Sequence, residues 1–209
     1  MSLAGIEIAY DDIGNGPAVV LLHGYPFDRS MWREQIDFLN TNGYRVVAPD
    51  LRGLGESADK LQFVGDADHH EAERQAKANR TFTTMEDMAS DVVMLMEKLK
   101  VDQAVICGLS MGGYVAFDFV HLFPTRASAL VLAGTRAPAD NEQEKQAREQ
   151  QAQRTLTEGM NFVADATLSK LLAPRTLAEK PEVVARVREM IIRAEPRGAA
   201  AAQRGMAGR

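Results

Sequence analysis

Hydrophobic residues in the first part of the chain follow two alternating patterns. Short, mostly apolar runs predict strands buried on both faces, at residues 18–22, 44–48, 103–107 and 129–132. A further strand is predicted at residues 6–10, where apolar and polar side chains partly alternate. The segments between the strands predict helices over residues 31–42, 83–100 and 111–122. This alternation is typical of an α/β fold, in which a mostly parallel sheet has helices on both faces.

A different pattern begins near residue 135. Residues 135–209 are rich in helix formers and predict helices, without a strand, over residues 141–158, 159–172, 181–194 and 197–207. Only one of the 13 aromatic residues, Phe162, lies there. The segment carries 13 basic and 10 acidic side chains, whereas residues 1–134 carry 11 and 19. We therefore divide the chain into an α/β part, residues 1–134, and a helical segment, residues 135–209, which we expect to act as a lid.

One stretch of the α/β part fits neither pattern. Residues 59–80 are crowded with charged side chains and are longer than an ordinary loop, so we interpret them as an irregular charged insertion. His69 and His70 lie there among acidic residues, and these are residue types that bind metals. A charge run of this kind is more typical of a solvated surface, and we predict no metal site.

Composition narrows the class of protein. The chain has 209 residues, of which 45% are hydrophobic and 25% charged, as in a globular protein with a sizeable core. A net charge of −5 argues against a nucleic-acid binder. The apolar runs are too short to span a membrane, the first ten residues do not resemble a signal peptide, and Cys107 has no second cysteine to pair with. We expect a cytoplasmic protein without nucleic-acid or membrane partners.

Residues 108–112, Gly-Leu-Ser-Met-Gly, carry the strongest chemical signal. This G-x-S-x-G pattern lies between a predicted strand and a predicted helix, where it forms a sharp turn that exposes the serine hydroxyl. Gly108 and Gly112 avoid side chains that would collide with the neighbouring strand and helix. Ser110 is therefore the candidate nucleophile, and the N-terminus of the next helix favours a negatively charged oxygen beside it. We call residues 108–112 the serine turn.

A second turn is expected to meet the first. His23 and Gly24 follow the strand at 18–22, and a glycine there lets a backbone N–H point toward the carbonyl that the serine attacks. The N–H groups of Tyr25 and Met111 are predicted to form the oxyanion hole. We expect His23 to support this turn structurally. We call residues 23–25 the oxyanion turn.

Several blocks of the chain together resemble the α/β-hydrolase superfamily. The matching blocks are LLHGYPFDRSMW, YRVVAPDLRGLGES, CGLSMGGYVAFDF and ALVLAGTRA, and the resemblance runs from about residue 9 onward, interrupted at residues 60–80. Within the superfamily, HGYPFDRSMW, TMEDMASDV and GLSMGGYVA are most similar to the 3-oxoadipate enol-lactonase and small carboxylesterase group. The resemblance implies a helical lid, hydrolysis of small carboxylic esters or lactones through an acyl-serine, and no metal or organic cofactor.

The chain departs from this family after the helical segment. The family takes its catalytic acid and histidine from loops that follow two later strands, and the chain ends at Arg209, about where the lid ends. We expect a hydrolase truncated before its last strands, with impaired activity and with its base and acid supplied from outside residues 1–209. The strand at 129–132 would then be an edge strand, which favours self-association or a complementing C-terminal chain.

Alternative functions and residue roles stay open. The same serine turn would suit a cofactor-free perhydrolase or haloperoxidase-like enzyme, and a chain without its base would be a non-catalytic remnant that binds a ligand or a partner. Arg136 is a candidate to pair with a substrate carboxylate, although a surface arginine is the plainer interpretation. Asp140 is a remote alternative for the acid. His121 lies eleven residues after Ser110, about 16 Å along a helix, too far to act as the base.

Overall fold

Five strands form one sheet at the centre of the α/β part. The computed structural model describes residues 8–61 and 82–209. The strands are β1 (Tyr10–Ile13), β2 (Ala18–Leu22), β3 (Arg45–Pro49), β4 (Ala104–Leu109) and β5 (Ala127–Ala133). Their order in the sheet is β1-β3-β2-β4-β5, with β1 antiparallel to β3 and all other pairs parallel. The mostly parallel sheet predicted from the sequence is confirmed.

The first strand lies later in the chain than its sequence predicts. Residues 6–7 of the predicted strand fall outside the described residues, and β1 continues through Asp11 and Asp12 to Ile13. Aspartate is a poor strand former, but β1 is at the edge of the sheet, and Arg45 of β3 binds the Asp12 carboxylate through two nitrogens at 2.8 Å. An ion pair between neighbouring strands therefore offsets the low strand propensity of this segment.

Helices cover both faces of the sheet, as predicted. On one face, Val19 and Leu21 of β2 pack with α1 (Arg33–Thr41) and the short 3-10 helix before it. On the other face, Val20 and Leu22 pack with α2 (Met85–Lys98) and α3 (Met111–Leu122). Adjacent residues of β2 thus face opposite cores, which explains why this strand is apolar at every position.

Residues 142–207 are arranged as helices. They are α4 (Glu142–Leu171), α5 (Pro174–Glu179), α6 (Pro181–Ile192) and α7 (Pro196–Ala207). The two helices predicted over residues 141–158 and 159–172 are confirmed as the two halves of α4, which meet at a kink at Gly159, whose φ of 77° lies outside the helical region. The predicted boundary is therefore the kink, because glycine is the residue type that adopts positive φ without strain.

Helix α7 packs directly on the α/β part. A Cβ added to Gly198 would lie 1.6 Å from the Gly53 carbonyl oxygen, and one added to Gly205 would lie 1.7 Å from the Thr83 carbonyl oxygen. These close approaches require glycine, since any side chain there would collide with backbone. The helical segment is therefore in firm contact with the loops after β3 and before α2. Its action as a lid stays a prediction.

Strand β5 is the edge of the described sheet, as predicted. Its large apolar side chains are partly exposed, with Leu130 at 38%, Val131 at 47% and Leu132 at 41%. Because neighbouring residues of a strand face opposite sides, both faces of β5 are partly exposed in the described structure. Self-association through this edge, or pairing with a complementing chain, stays a prediction.

Two other predictions concern the charged insertion and membrane spans. Most of the charged insertion, including His69 and His70, lies outside the described residues. Across residues 8–61 and 82–209, none of the helices has the length and apolar character that a membrane span requires.

Candidate active site

Ser110 occupies a strained turn between β4 and α3. Its φ of 51° and ψ of −111° place a non-glycine residue in a sparsely populated region of backbone conformation. Hydrogen bonds from two sides fix this turn: the Ser110 N–H donates to the Ala133 carbonyl (2.9 Å), and the Thr135 hydroxyl donates to the Ser110 carbonyl (2.9 Å). The end of β5 and the residues after it therefore stabilise the backbone of Ser110, the candidate nucleophile.

The glycines of the serine turn are required by close backbone contacts. A Cβ on Gly108 would lie 2.3 Å from the Gly112 carbonyl oxygen. A Cβ on Gly112 would lie 2.2 Å from the Leu22 carbonyl oxygen and 2.8 Å from that of His23. Both separations are shorter than van der Waals contact, so only glycine allows the turn to pack on the end of β2.

The oxyanion turn lies against the serine turn. Strands β2 and β4 are parallel neighbours, with Leu22 opposite Gly108, so the turns after them leave the same edge of the sheet. A Cβ on Gly24 would be 3.6 Å from the Ser110 Cβ and 3.4 Å from the Leu109 carbonyl oxygen. This edge is also where the strand order reverses, the position at which open α/β sheets bind ligands.

The two predicted oxyanion donors belong to the two adjoining turns, Met111 to the serine turn and Tyr25 to the oxyanion turn. Met111 is the first residue of α3, where a helical N–H has no acceptor within its own helix, and its side chain is fully buried. Tyr25 directly follows Gly24, and its ring packs against the main apolar core. Their joint action on a substrate oxygen stays a prediction.

His23 supports the oxyanion turn from inside the protein. The Leu51 N–H donates to His23 Nε2 at 2.9 Å, so the proton of the neutral ring is on Nδ1, which lies 3.1 Å from the Gly24 carbonyl oxygen. The ring is completely buried, and this burial lowers the pKa of His23 from its ordinary 6.5. Because both nitrogens are engaged and the ring is neutral, His23 connects two loops and is not placed to take a proton from Ser110.

The buried neutral state of His23 predicts acid sensitivity. The pKa is lower in the folded chain than in the unfolded chain, so the unfolded chain binds the extra proton first. The stabilisation that neutral His23 provides is therefore fully present above about pH 6.5. Below that pH the free energy of unfolding falls, by at most about 1.4 kcal/mol per pH unit. Urea unfolding between pH 7.5 and pH 5 measures the slope, with His121→Gln as the exposed control. A slope that His23→Gln leaves unchanged would contradict this assignment.

Arg136 lies on the loop after β5 and binds acidic side chains of the protein itself. One of its terminal nitrogens is 2.7 Å from Asp140 and 2.8 Å from Glu144, and 44% of the side chain is exposed. A substrate carboxylate would have to share the guanidinium with these two partners. Binding of a substrate carboxylate by Arg136 therefore stays a prediction, and the carboxylates of Asp140 and Glu144 would compete with it.

Asp140 is an arginine-binding centre that the sequence analysis did not identify. Its carboxylate is inaccessible to solvent and binds Arg136, Arg148 of α4 and Arg209. Burial alone would raise the pKa of Asp140, but the hydrogen bonds from Arg148 and Arg136 lower it to about 2. These partners are far apart in sequence, so no local pattern indicates the cluster. A carboxylate bound by three arginines is not available to orient a histidine.

The described histidines do not supply a base to Ser110. His23 is engaged as above, and His121 is an exposed residue in the last turn of α3, the helix that begins beside Ser110. Residues 8–61 and 82–209 thus contain the candidate nucleophile and the predicted oxyanion donors, without a histidine placed to activate the serine.

Comparison with known proteins relates this geometry to hydrolases. The sequence profile of the alpha/beta hydrolase fold family matches residues 17–189. Epoxide hydrolase 2 of Siraitia grosvenorii is 34% identical over 131 residues, which are 63% of this chain and 36% of that protein. Epoxide hydrolase B of Mycobacterium tuberculosis is 37% identical over 116 residues, 56% of this chain and 28% of that protein. The chain matches about a third of the length of these curated relatives.

Solved structures of esterases and lactonases are also similar. A thermophilic esterase from Thermogutta terrifontis superposes with a TM-score of 0.84 and 38% identity, covering 100% of this chain and 70% of the esterase. The enol-lactonase from Burkholderia xenovorans LB400 superposes with a TM-score of 0.78 and 27% identity, covering 96% of this chain and 70% of the lactonase. The fold therefore has counterparts in an esterase and in an enol-lactonase.

Proposed function

This chain belongs to the α/β-hydrolase family, and from that premise we propose that it is a serine hydrolase of small carboxylic esters or lactones. The observation that carries the proposal is Ser110, a serine in a strained turn with φ of 51°, at the edge of the sheet where the strand order reverses. The neighbouring oxyanion turn supports it, since a Gly24 Cβ would be within 3.6 Å of the Ser110 Cβ.

The proposed reaction has two steps. The Ser110 Oγ attacks the ester carbonyl carbon, and the carbonyl oxygen gains a negative charge that the N–H groups of Tyr25 and Met111 stabilise. The bond from carbon to the leaving oxygen then breaks, and that oxygen takes up the proton that a base has removed from Ser110. Water attacks the acyl-serine in the same way, which releases the carboxylic acid and restores the hydroxyl.

The nature of the nucleophile favours esters over epoxides. A serine hydroxyl that opened an epoxide would form an ether with the protein, and water does not cleave an ether under mild conditions, so the enzyme would not turn over. A serine that attacks an ester forms a new ester, which water hydrolyses. Similarity to epoxide hydrolases therefore supports hydrolase ancestry, while Ser110 supports ester or lactone substrates.

We propose that the base and acid lie outside residues 8–61 and 82–209. His23 is buried with both nitrogens engaged, and Asp140 is bound by arginines. The leaving group of an activated ester needs no protonation. Acylation of Ser110 by such an ester therefore depends less on a general base than hydrolysis of the acyl-serine does. We therefore expect the chain to be acylated by activated esters and to release the acyl group slowly.

A comparison of two substrates tests the proposed reaction class. We expect p-nitrophenyl acetate to give nitrophenol in a reaction that Ser110→Ala eliminates, and styrene oxide to give no diol. Absorbance follows the ester, chromatography follows the diol, and urea-unfolded chain measures reaction at other side chains. Diol formation by the folded chain, or ester cleavage that survives in Ser110→Ala, would count against a serine esterase.

A further inference from the structure

The side chain of Tyr25 connects the oxyanion turn to the helical segment. Its hydroxyl oxygen is buried and makes no complete hydrogen bond within the described residues. The polar side chains beside it are Gln203 of α7 and Thr155 of α4. Both of these residues are themselves buried, Thr155 completely. A buried hydroxyl without hydrogen-bond partners lowers the stability of the folded chain. Hydrogen bonds between the Tyr25 hydroxyl and these two neighbours are therefore favoured.

The existing bonds of the two neighbours determine how each can bind Tyr25. The Thr155 hydroxyl donates its proton to the Gln151 carbonyl at 2.8 Å, so it can only accept from Tyr25. The side-chain oxygen of Gln203 accepts from Arg148 at 3.1 Å, so its amide NH₂ is left to donate. The Tyr25 hydroxyl thus has one acceptor and one donor beside it, which matches its own capacity.

The same set of contacts extends to the serine turn. Arg148, which orients Gln203, is bound by the buried carboxylate of Asp140. Asp140 lies on the loop after β5, and Thr135 of that loop donates to the Ser110 carbonyl. The oxyanion turn and the serine turn are therefore connected through side chains of helices α4 and α7.

We propose that Thr155 and Gln203 are positioning residues for the oxyanion hole, acting through the Tyr25 hydroxyl. By binding the hydroxyl from α4 and α7, they fix the side chain of the residue whose N–H faces the developing oxyanion. A donor displaced from its position stabilises the transition state less, while ground-state binding of the ester changes little. The proposal rests on the proposed esterase function.

Conservative substitutions separate this role from simple packing. Tyr25→Phe removes only the hydroxyl, Thr155→Val and Gln203→Leu remove its partners, and Thr155→Ser keeps the accepting oxygen. Thr157→Val is the matched control, because Thr157 lies on the same helix and donates to the Gln153 carbonyl at 3.2 Å in the same way, but faces solvent. The readout is the rate of Ser110 acylation by p-nitrophenyl acetate, resolved into the maximal rate and the half-saturating concentration.

We expect Tyr25→Phe, Thr155→Val and Gln203→Leu each to lower the maximal acylation rate about five- to thirtyfold, with the half-saturating concentration nearly unchanged. Thr155→Ser keeps most of the wild-type acylation rate, because its hydroxyl oxygen can still accept from Tyr25. Thr157→Val keeps the wild-type rate. The double variant Tyr25→Phe, Thr155→Val is expected to be no slower than the slower of its two single variants, because both substitutions remove the same hydrogen bond.

Three results would overturn the inference, and each is distinguishable. Wild-type rates in all three variants show that the hydroxyl does not position the donor. Equal losses in Thr155→Val and Thr157→Val show a general effect on α4. Additive losses of unfolding stability for Tyr25→Phe and Thr155→Val overturn the contact itself, whatever the reactivity. A wild-type chain without Ser110-dependent acylation instead overturns the proposed function, and the catalytic part of the inference with it.

Discussion

Replacing Ser110 with alanine is expected to remove the burst of nitrophenol, at most one per chain, that acylation of the folded chain releases. The hydroxyl is the only group of the serine turn that can form the acyl bond, and its backbone is fixed from both sides by Ala133 and Thr135. Nitrophenol release from p-nitrophenyl acetate measures the loss. A variant that keeps most of the burst would show that another residue carries the reaction.

A second substitution at this position tests the strain of the turn. Alanine keeps the unfavourable φ of 51°, whereas glycine adopts such a conformation without strain. We expect Ser110→Gly to be about 1–2 kcal/mol more stable than Ser110→Ala, measured by urea unfolding. Equal stability of the two variants would indicate a relaxed turn, and the serine would then lack the geometry from which its role is inferred.

Gly112→Ala is expected to destabilise the chain by about 2–3 kcal/mol and to reduce acylation with it. The added methyl group would lie 2.2 Å from the Leu22 carbonyl oxygen and 2.8 Å from that of His23. Since both contacts are backbone, the end of β2 must move, and the oxyanion turn moves with it. Urea unfolding measures the loss of stability, and acylation kinetics measure the loss of reactivity.

Gly208→Ala is the control for that substitution. Among the described residues, a Cβ at Gly208 would meet only the Gly205 carbonyl oxygen, at an ordinary contact distance of 3.6 Å, and the Gly208 φ of −87° suits alanine. We expect this variant to be within about 0.5 kcal/mol of wild type. A Gly112→Ala variant as stable as Gly208→Ala would mean that the two turns do not pack as described.

The parts of the fold that local pattern determines could be predicted from the sequence. Strand β2 was located because its residues are apolar on both faces, and the serine turn because a G-x-S-x-G pattern follows a strand. The kink of α4 falls on Gly159, where the predicted helices were divided. Strand β1 was placed too early, because its two aspartates are stabilised by arginines from other elements rather than by strand propensity.

The contacts that complete the site could not be predicted in this way. Asp140 was considered only as a remote catalytic acid, and its three arginine partners come from a loop, a helix and the last residue of the chain. The neighbours of the Tyr25 hydroxyl lie on α4 and α7, more than a hundred residues later in the sequence. Such contacts depend on how the helical segment packs, and periodicity within one element carries no information about them.

We propose that Ser110 is a nucleophile whose oxyanion hole is assembled in the folded chain. The most direct test is the intact mass of the chain after incubation with p-nitrophenyl acetate, followed by peptide mapping, with Ser110→Ala treated in parallel. We predict a single acetyl group on Ser110 that persists, because the described residues provide no histidine to drive its hydrolysis. Acetylation that occurs equally in Ser110→Ala, or a folded chain that gains no acetyl group and releases no nitrophenol, would contradict a nucleophilic role for Ser110.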